Sequence, residues 1–271
     1  MALQIASINS GSNGNCYYVG NETDAVLIDV GISCREVEKR MKKIGLDIKK
    51  VKAIFVSHEH GDHIKGLATL AHRYFLPIYI TDATAKNIKL IKHLSKPFVA
   101  NCSISIGELL ISPFLKKHDA INPHSFTVCY NDITVGVFTD IGIVCNNLIH
   151  HFKQCNAVIL ESNYDDEMLE KGPYPIYLKN RIRGDEGHLS NQQAVDLFIN
   201  HRSSNLSHVL LAHLSKENNT PQIAQQLFEQ HAKQTKIIVA DRNSASGVYT
   251  IANETISHAL KNNKPEQLEL F

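Results

Sequence analysis

What this chain has little of narrows its class before any motif does. Its six cysteines, Cys16, Cys34, Cys102, Cys129, Cys145 and Cys155, form no CxxC pair and no metal-finger spacing, and most fall in apolar runs. They read as buried free thiols of a reducing compartment. No apolar run approaches the ~20 residues that cross a bilayer. The opening MALQIASINS has neither a basic stretch nor a long apolar core, so no secretion signal is expected there. A cytoplasmic protein with no membrane contact is the expectation. A formal net charge of +1 supplies no global basic field, so any nucleic-acid contact must be local. Aromatic residues make up only 7%, but hydrophobic residues reach 43%, as in an ordinary soluble core.

What is present alternates between strand and helix patterns, placing the chain in the α/β class. LQIASIN, CYYVG and AVLIDV read as strands separated by glycine-containing turns. Ser33 with Glu36 is expected to form a capping box, opening a helix that Gly45 stops. A second helix is expected over about 64–74. Residues 98–139 are β-rich, followed by a short helix near 146–152 and the strand AVILE. The last third carries helices near 191–201 and 221–233, with the strands HVLLA and KIIVA. His150, His151 and the histidines outside the motifs below read as surface or core residues.

The densest chemistry is SHEHGDH at residues 57–63, directly after the apolar run that ends at Val56. It packs His58, His60, Asp62 and His63 into one short turn of chain. Neutral imidazole and carboxylate are the ligands that zinc and similar divalent ions prefer. Burying four such groups would be costly unless an ion satisfied them. Gly61 is expected to turn the backbone tightly so that they converge.

At this motif the chain resembles the metallo-β-lactamase superfamily, which implies a four-layer αβ/βα sandwich. The resemblance implies one metal site of His58, His60 and His118, and a second of Asp62, His63 and His213, with Asp140 bridging both. Asp29, at the end of AVLIDV, matches the superfamily's early aspartate, which orients the metal-binding loop from behind the ligands. Independently of any family, His118 follows the run 109–115, Asp140 closes ITVGVFT and His213 closes HVLLA. Each lies just beyond the carboxyl end of an expected strand, as a site at one sheet edge requires. Donors spread from residue 58 to residue 213 argue for a single domain over 1–260, with 261–271 as a polar tail. Two divalent ions are implied, zinc by default and manganese or iron as alternatives. Such a pair suits hydrolysis of phosphodiesters, thioesters or amides.

The choice among these comes from His188 in GHLSNQQAVDLF, beside a helix N-terminus carrying a second capping box, Ser190 with Gln193. There it could bind phosphate or protonate a leaving alkoxide, and it resembles the extra histidine of the ribonuclease Z and phosphodiesterase branches. His188 and the ligand Asp62 are the candidate catalytic residues. Longer strings, SGSNGNCYYV, LKKHDAINPHSF, FTDIGIV, ILESNYDDEML, PYPIYLKNRIRGDEGHLSN and LAHLSKENN, closely resemble the YycJ/WalJ family over about residues 4–250. Its members are regarded as nucleases, with DNA exonuclease activity the leading assignment. Ser12 and Asn13 could offer backbone N–H groups to a phosphate, or form an ordinary hairpin turn. Lys179, Arg181 and Arg183 could track a nucleic-acid backbone, or form a solvated charged loop. The loop Arg242 to Gly247 has no assignable role. Gln267, Leu268, Leu270 and Phe271, in the terminal QLELF, match the pentapeptide by which bacterial replication and repair proteins bind the DNA sliding clamp.

The resulting expectation is a two-metal phosphodiester hydrolase, a DNA exonuclease of DNA repair or processing. A ribonuclease or small-molecule (nucleotide) phosphodiesterase is the alternative enzyme. A non-catalytic, metal-stabilised binding module is the alternative of another class.

Overall fold

The computed structural model describes residues 1–90 and 92–252; QLELF and the rest of the 261–271 tail lie outside the described residues. The first half of the chain runs β1 (Leu3–Asn9), β2 (Cys16–Gly20), β3 (Ala25–Ile28), α1 (Cys34–Lys43), β4 (Val51–Phe55), α2 (Gly61–Ile64), α3 (Leu67–Tyr74), β5 (Ile78–Ile80), α4 (Asp82–Ala85) and β6 (Ser95–Pro97). An antiparallel meander follows: β7 (Ile104–Ile106), β8 (Leu109–Leu115), β9 (His124–Tyr130) and β10 (Ile133–Phe138). The remainder is α5 (Asn146–Phe152), β11 (Ala157–Glu161), α6 (Asp166–Lys171), α7 (Ile176–Arg183), α8 (Asn191–His201), β12 (His208–Ala212), α9 (Pro221–Glu229), β13 (Lys236–Val239) and β14 (Tyr249–Ile251).

The strands form two seven-stranded mixed sheets, ordered β14-β1-β2-β3-β4-β5-β6 and β13-β12-β11-β10-β9-β8-β7. Side-chain alternation explains the layering. Along β2, Tyr17 and Val19 enter the core between the sheets, where they join Phe55, Phe126 and Ile159. Cys16 and Tyr18 point the other way, toward Val37 and Met41 of α1 and Leu70 of α3. The second sheet does the same, with Val158 and Leu160 facing Leu148 of α5, Phe198 of α8 and Phe228 of α9. Strands buried on both faces need near-continuous apolar sequence, as CYYVG and AVILE show. The result is the four-layer αβ/βα sandwich.

Several local expectations change. The helix over 64–74 is two pieces, α2 and α3, divided at Lys65 and Gly66. The last helix stops at Glu229 rather than 233. Ser33 does cap α1, but Glu36 turns its carboxylate to Arg40; the full reciprocal box is at Ser190 and Gln193. The charged stretch holding Lys179, Arg181 and Arg183 is the helix α7, not a loop. Pro175 stands at the start of this helix, where a missing N–H costs nothing. Of the cysteines, Cys16, Cys34 and Cys155 are buried, Cys102 is exposed and all six are unpaired.

Candidate metal centre

The parallel strands deliver their last residues to one edge of the sandwich. Asp29 follows β3, Asp140 lies just past β10 and His213 follows β12, and all three adopt left-handed backbone at φ 61°, 55° and 56°. For non-glycine residues that conformation costs about 1–2 kcal/mol each. It turns the chain sharply at the strand end so that the side chain faces the site. Gly31 provides the other close approach. A Cβ there would lie 1.7 Å from the Asp62 carbonyl oxygen, so only glycine lets this strand exit press against the histidine loop. Gly61 does not act as expected. It has neither positive φ nor crowding; the helical turn of α2 brings Asp62 and His63 inward.

The seven expected ligands converge. The donor atoms of His58, His60 and His118 lie within 4.8 Å of one another, as do those of Asp62, His63 and His213, and those of His58, His63 and Asp140. Asp140 joins the two sets: its carboxylate is 3.4 Å from His63 Nε2 and 3.8 Å from His118 Nε2. Each buried imidazole is held from its outer nitrogen. His58 Nδ1 is 2.8 Å from Ser57 Oγ, and His118 Nδ1 is 3.0 Å from the Gly187 carbonyl. His63 Nδ1 is 2.7 Å from Asp29 Oδ2, and His213 Nδ1 is 2.9 Å from Glu161 Oε1. Nε2 of each is thereby left for the centre, the arrangement that fixes tautomer and ring orientation in metal sites. Asp29 also accepts from Ser57 N–H and Oγ at 2.8 and 2.6 Å, so it orients the loop from behind.

The electrostatics divide the two sets. Burial keeps His58 well below its usual pKa and brings His118 to about 4, so both are neutral donors. Burial opposes charge on His63 too, but Asp140 and Asp29 overcome it and raise that imidazole to about 10. His213 is likewise raised well above its usual range against burial, by Asp140, Asp62 and Glu161. Asp140 and Asp62 stay ionised despite burial because these imidazoles face them. The raised imidazoles of His63 and His213 thus answer the negative charge of these carboxylates. A divalent ion fits the same place: His118 Nε2, His213 Nε2 and Asp140 Oδ2 are buried without hydrogen-bond partners. Orphaned atoms of this kind are costly, and imidazole with carboxylate is a donor set for zinc, manganese or iron.

His188 sits between the two sets, its ring centroid 5.2 Å from that of His118 and 5.1 Å from that of His213. Its side chain remains 22% exposed, whereas those of His118 and His213 are almost wholly buried. It does precede α8, but what orients it is Glu161, whose Oε1 is 2.8 Å from His188 Nδ1. Glu161 is the main residue that sequence reading missed. It is fully buried, holds His188 and His213 through one oxygen, and accepts from the Ile141 and Leu189 N–H groups at 2.7 and 3.2 Å through the other. Burial would raise its pKa, but the two imidazoles bring it to about 2. Its signal was available, since it ends AVILE as the other site residues end or follow their strands. Two more were missed. Asn15 donates to Asp62 Oδ2 at 3.2 Å, and buried Lys116 donates to the Thr139 carbonyl at 2.7 Å.

The expected substrate contacts are not brought together. Lys179 is buried and donates to the Glu170 carbonyl, and Arg183 pairs with Glu170 Oε2 at 3.0 Å, so both tie α7 to α6. Only Arg181 reaches the centre, through a 2.6 Å bond to Asp119, whose other oxygen is 3.3 Å from His118 Nε2. Ser12 and Asn13 are exposed and fastened to Arg242, by its guanidinium at 3.0 Å and its carbonyl at 2.8 Å. The loop from Arg242 therefore has a role: its guanidinium also donates to the carbonyl of Leu214, next to His213, at 2.8 Å.

Comparison with known proteins agrees with this geometry. Residues 10–92 match the family model described as metallo-beta-lactamase superfamily. The chain is 35% identical to the exodeoxyribonuclease YycJ of Bacillus anthracis over 238 residues, covering 85% of this chain and 89% of that protein. It is 29% identical to the exodeoxyribonuclease WalJ of Streptococcus pneumoniae, covering 83% of this chain and 86% of the relative. The metallo-beta-lactamase fold protein YhfI of Bacillus subtilis shares the fold, with a TM-score of 0.71 at 17% identity, over 92% of this chain and 100% of the other. With its sheets, its strand-end donors and a relative of this identity over most of its length, the chain belongs to the YycJ/WalJ family of metal-dependent hydrolases within the metallo-β-lactamase superfamily.

Proposed function

We propose that this protein is a two-metal phosphodiester hydrolase that digests DNA from an end, in DNA repair or processing. The observation that carries this reading is His188, held by a buried carboxylate between the two ligand sets yet open to solvent. His58, His60 and His118 would hold one ion, Asp62, His63 and His213 the other, and Asp140 would be shared. Divalent ions held there would supply Lewis acidity toward a phosphoryl oxygen and would lower the pKa of a water to about 7. Asp62, besides ligating, would face the attacking side. His188 has Nδ1 committed to Glu161, so Nε2 is its free nitrogen and would protonate the leaving oxygen. Thioester and lactam hydrolysis leave this histidine without a task. The names of the relatives, both exodeoxyribonucleases, support DNA as substrate.

Zinc is the proposed metal, and the cytoplasm the proposed location; no helix among the described residues is long and apolar enough to cross a membrane. We also propose that Gln267, Leu268, Leu270 and Phe271 form a docking peptide for the sliding clamp, on a tail that follows a single domain. The test of the activity is metal-loaded protein incubated with end-labelled duplex DNA, single-stranded DNA and RNA in parallel. Progressive shortening of DNA from one end is expected. Cleavage of RNA alone, or of none of the three, would overturn the reading.

A further inference from the structure

The α7 helix enters the site end-on. Its Ile182 carbonyl accepts from His188 N–H at 2.9 Å, and Gly187 packs so tightly there that a Cβ would lie 2.1 Å from that same oxygen. Beside this junction is a cleft of ≈ 320 Å³ lined by Asn180, Arg181 and Gly184 of α7's end, by Gly187, and by Asp119 across from them. That volume lies at the lower end of small-ligand sites. Residues 180, 181 and 184 are spaced three and four apart, so they share one stripe of the helix. The same stripe continues one turn outward to Tyr177, which is 73% exposed. An aromatic ring this open gains nothing from the core, yet it lies on the helix stripe that lines the cleft, whose wall at Gly187 carries both the carbonyl that holds His118 and the chain into His188.

The cleft's charge says what it would take. Arg181 is already paired with Asp119, and Asp185 and Glu186 also line the cleft, so an anion is disfavoured. A neutral ring with hydrogen-bond donors on its edge suits both the carboxylates and the tyrosine face.

We propose that Tyr177 and the cleft below it are the subsite for the nucleobase of the nucleotide leaving on the His188 side, with the base stacked on the tyrosine ring. This rests on the nuclease reading above. A base can reach the ring only when unpaired, so the enzyme engages a single-stranded or frayed end.

The experiment uses the full-length, metal-loaded protein and an oligonucleotide carrying fluorescent 2-aminopurine as its terminal base. Wild type and Tyr177→Phe are expected to quench the probe and to bind alike. Tyr177→Ala is expected to lose the quench and to bind about 5- to 150-fold more weakly, the range of one base–aromatic stack. With an abasic terminal residue the difference between wild type and Tyr177→Ala should vanish, and hydrolysis of bis(p-nitrophenyl) phosphate should be equal in all three proteins. Unchanged binding by Tyr177→Ala, an equal loss on the abasic strand, or failure of wild type to bind the strand would overturn the proposal. So would a wild-type dimer that Tyr177→Ala converts to monomer with strand binding intact, which would make this face a self-association surface. Stacking without cleavage of any phosphodiester would instead overturn the nuclease reading and leave the subsite standing.

Discussion

Glu161→Gln isolates what a buried carboxylate does for this site. The glutamine has nearly the same volume, so packing against the surrounding core is kept. Its chemistry cannot match four contacts, however. Glu161 accepts from two imidazoles at 2.8 and 2.9 Å through one oxygen and from two backbone N–H groups at 2.7 and 3.2 Å through the other. An amide oxygen turned to the imidazoles places NH2 against the two N–H donors. Turned the other way, NH2 faces the two Nδ1 atoms and drives their protons to Nε2, where His213 could no longer ligate. Loss of such an outer contact typically weakens metal affinity 10- to 100-fold, about 1.4–2.7 kcal/mol. His188 loses its orientation as well, so the rate at saturating metal should fall by about 10²–10⁴. Metal titration by calorimetry and turnover at saturating metal read the two effects separately. Glu161→Gln with wild-type affinity and wild-type rate would refute the assignment.

The other predictions use separate handles. His213→Ala should lose one metal, while His188→Ala should keep both and lose rate by about 10²–10⁴, with partial recovery on a substrate bearing a good leaving group; metal analysis beside kinetics checks both. Gly31→Ala should push the Asp62 loop outward, because its Cβ would lie 1.7 Å from a backbone oxygen, and metal content should fall with melting temperature. For the metal-free protein, the site should stabilise most near pH 6.5, because His118, brought to about 4 by burial, costs stability as pH falls below its ordinary 6.5. Glu161, depressed to about 2, contributes fully above its ordinary 4.5 and is lost as pH falls toward 2; His63, raised to about 10, contributes fully below its ordinary 6.5 and is lost as pH rises through 10. Thermal melts across pH should show the alkaline loss with chelator and not with bound metal. Deleting Gln267 to Phe271 should leave folding and hydrolysis of short oligonucleotides unchanged and abolish binding to the purified clamp, measured by peptide titration.

The candidate ligands were legible in the chain because their chemistry constrains residue type and their placement follows strand ends. SHEHGDH is compact enough to announce a metal, and His118, Asp140 and His213 each follow a short, largely apolar run that reads as a strand. The elements around them were legible for the same reason: β2 and β11 are almost continuously apolar, and Ser190 with Gln193 marks the start of α8. The substrate-facing residues were not. Arg183 and Lys179 look like a basic track in one dimension, but the turn between α6 and α7 points them at Glu170. Tyr177 has no local signal at all, since what its helix stripe faces depends on how α7 lies against His188.

Glu161 shows where the division falls. A glutamate closing a strand shares the position of the other site residues but carries no motif of its own, and its partners are 27 and 52 residues away in sequence. What joins them is the strand order β10-β11-β12, all parallel and in register. Neighbouring strands lie about 4.8 Å apart, so Asp140, Glu161 and His213, at the ends of three consecutive strands, come within reach of one another. The chain's own residues determined which donors exist and that a metal could hold them. Which carboxylate lies between the two donor sets and which one stands behind the histidines was decided by the sheet, because that choice is a distance between strands and no single strand contains it.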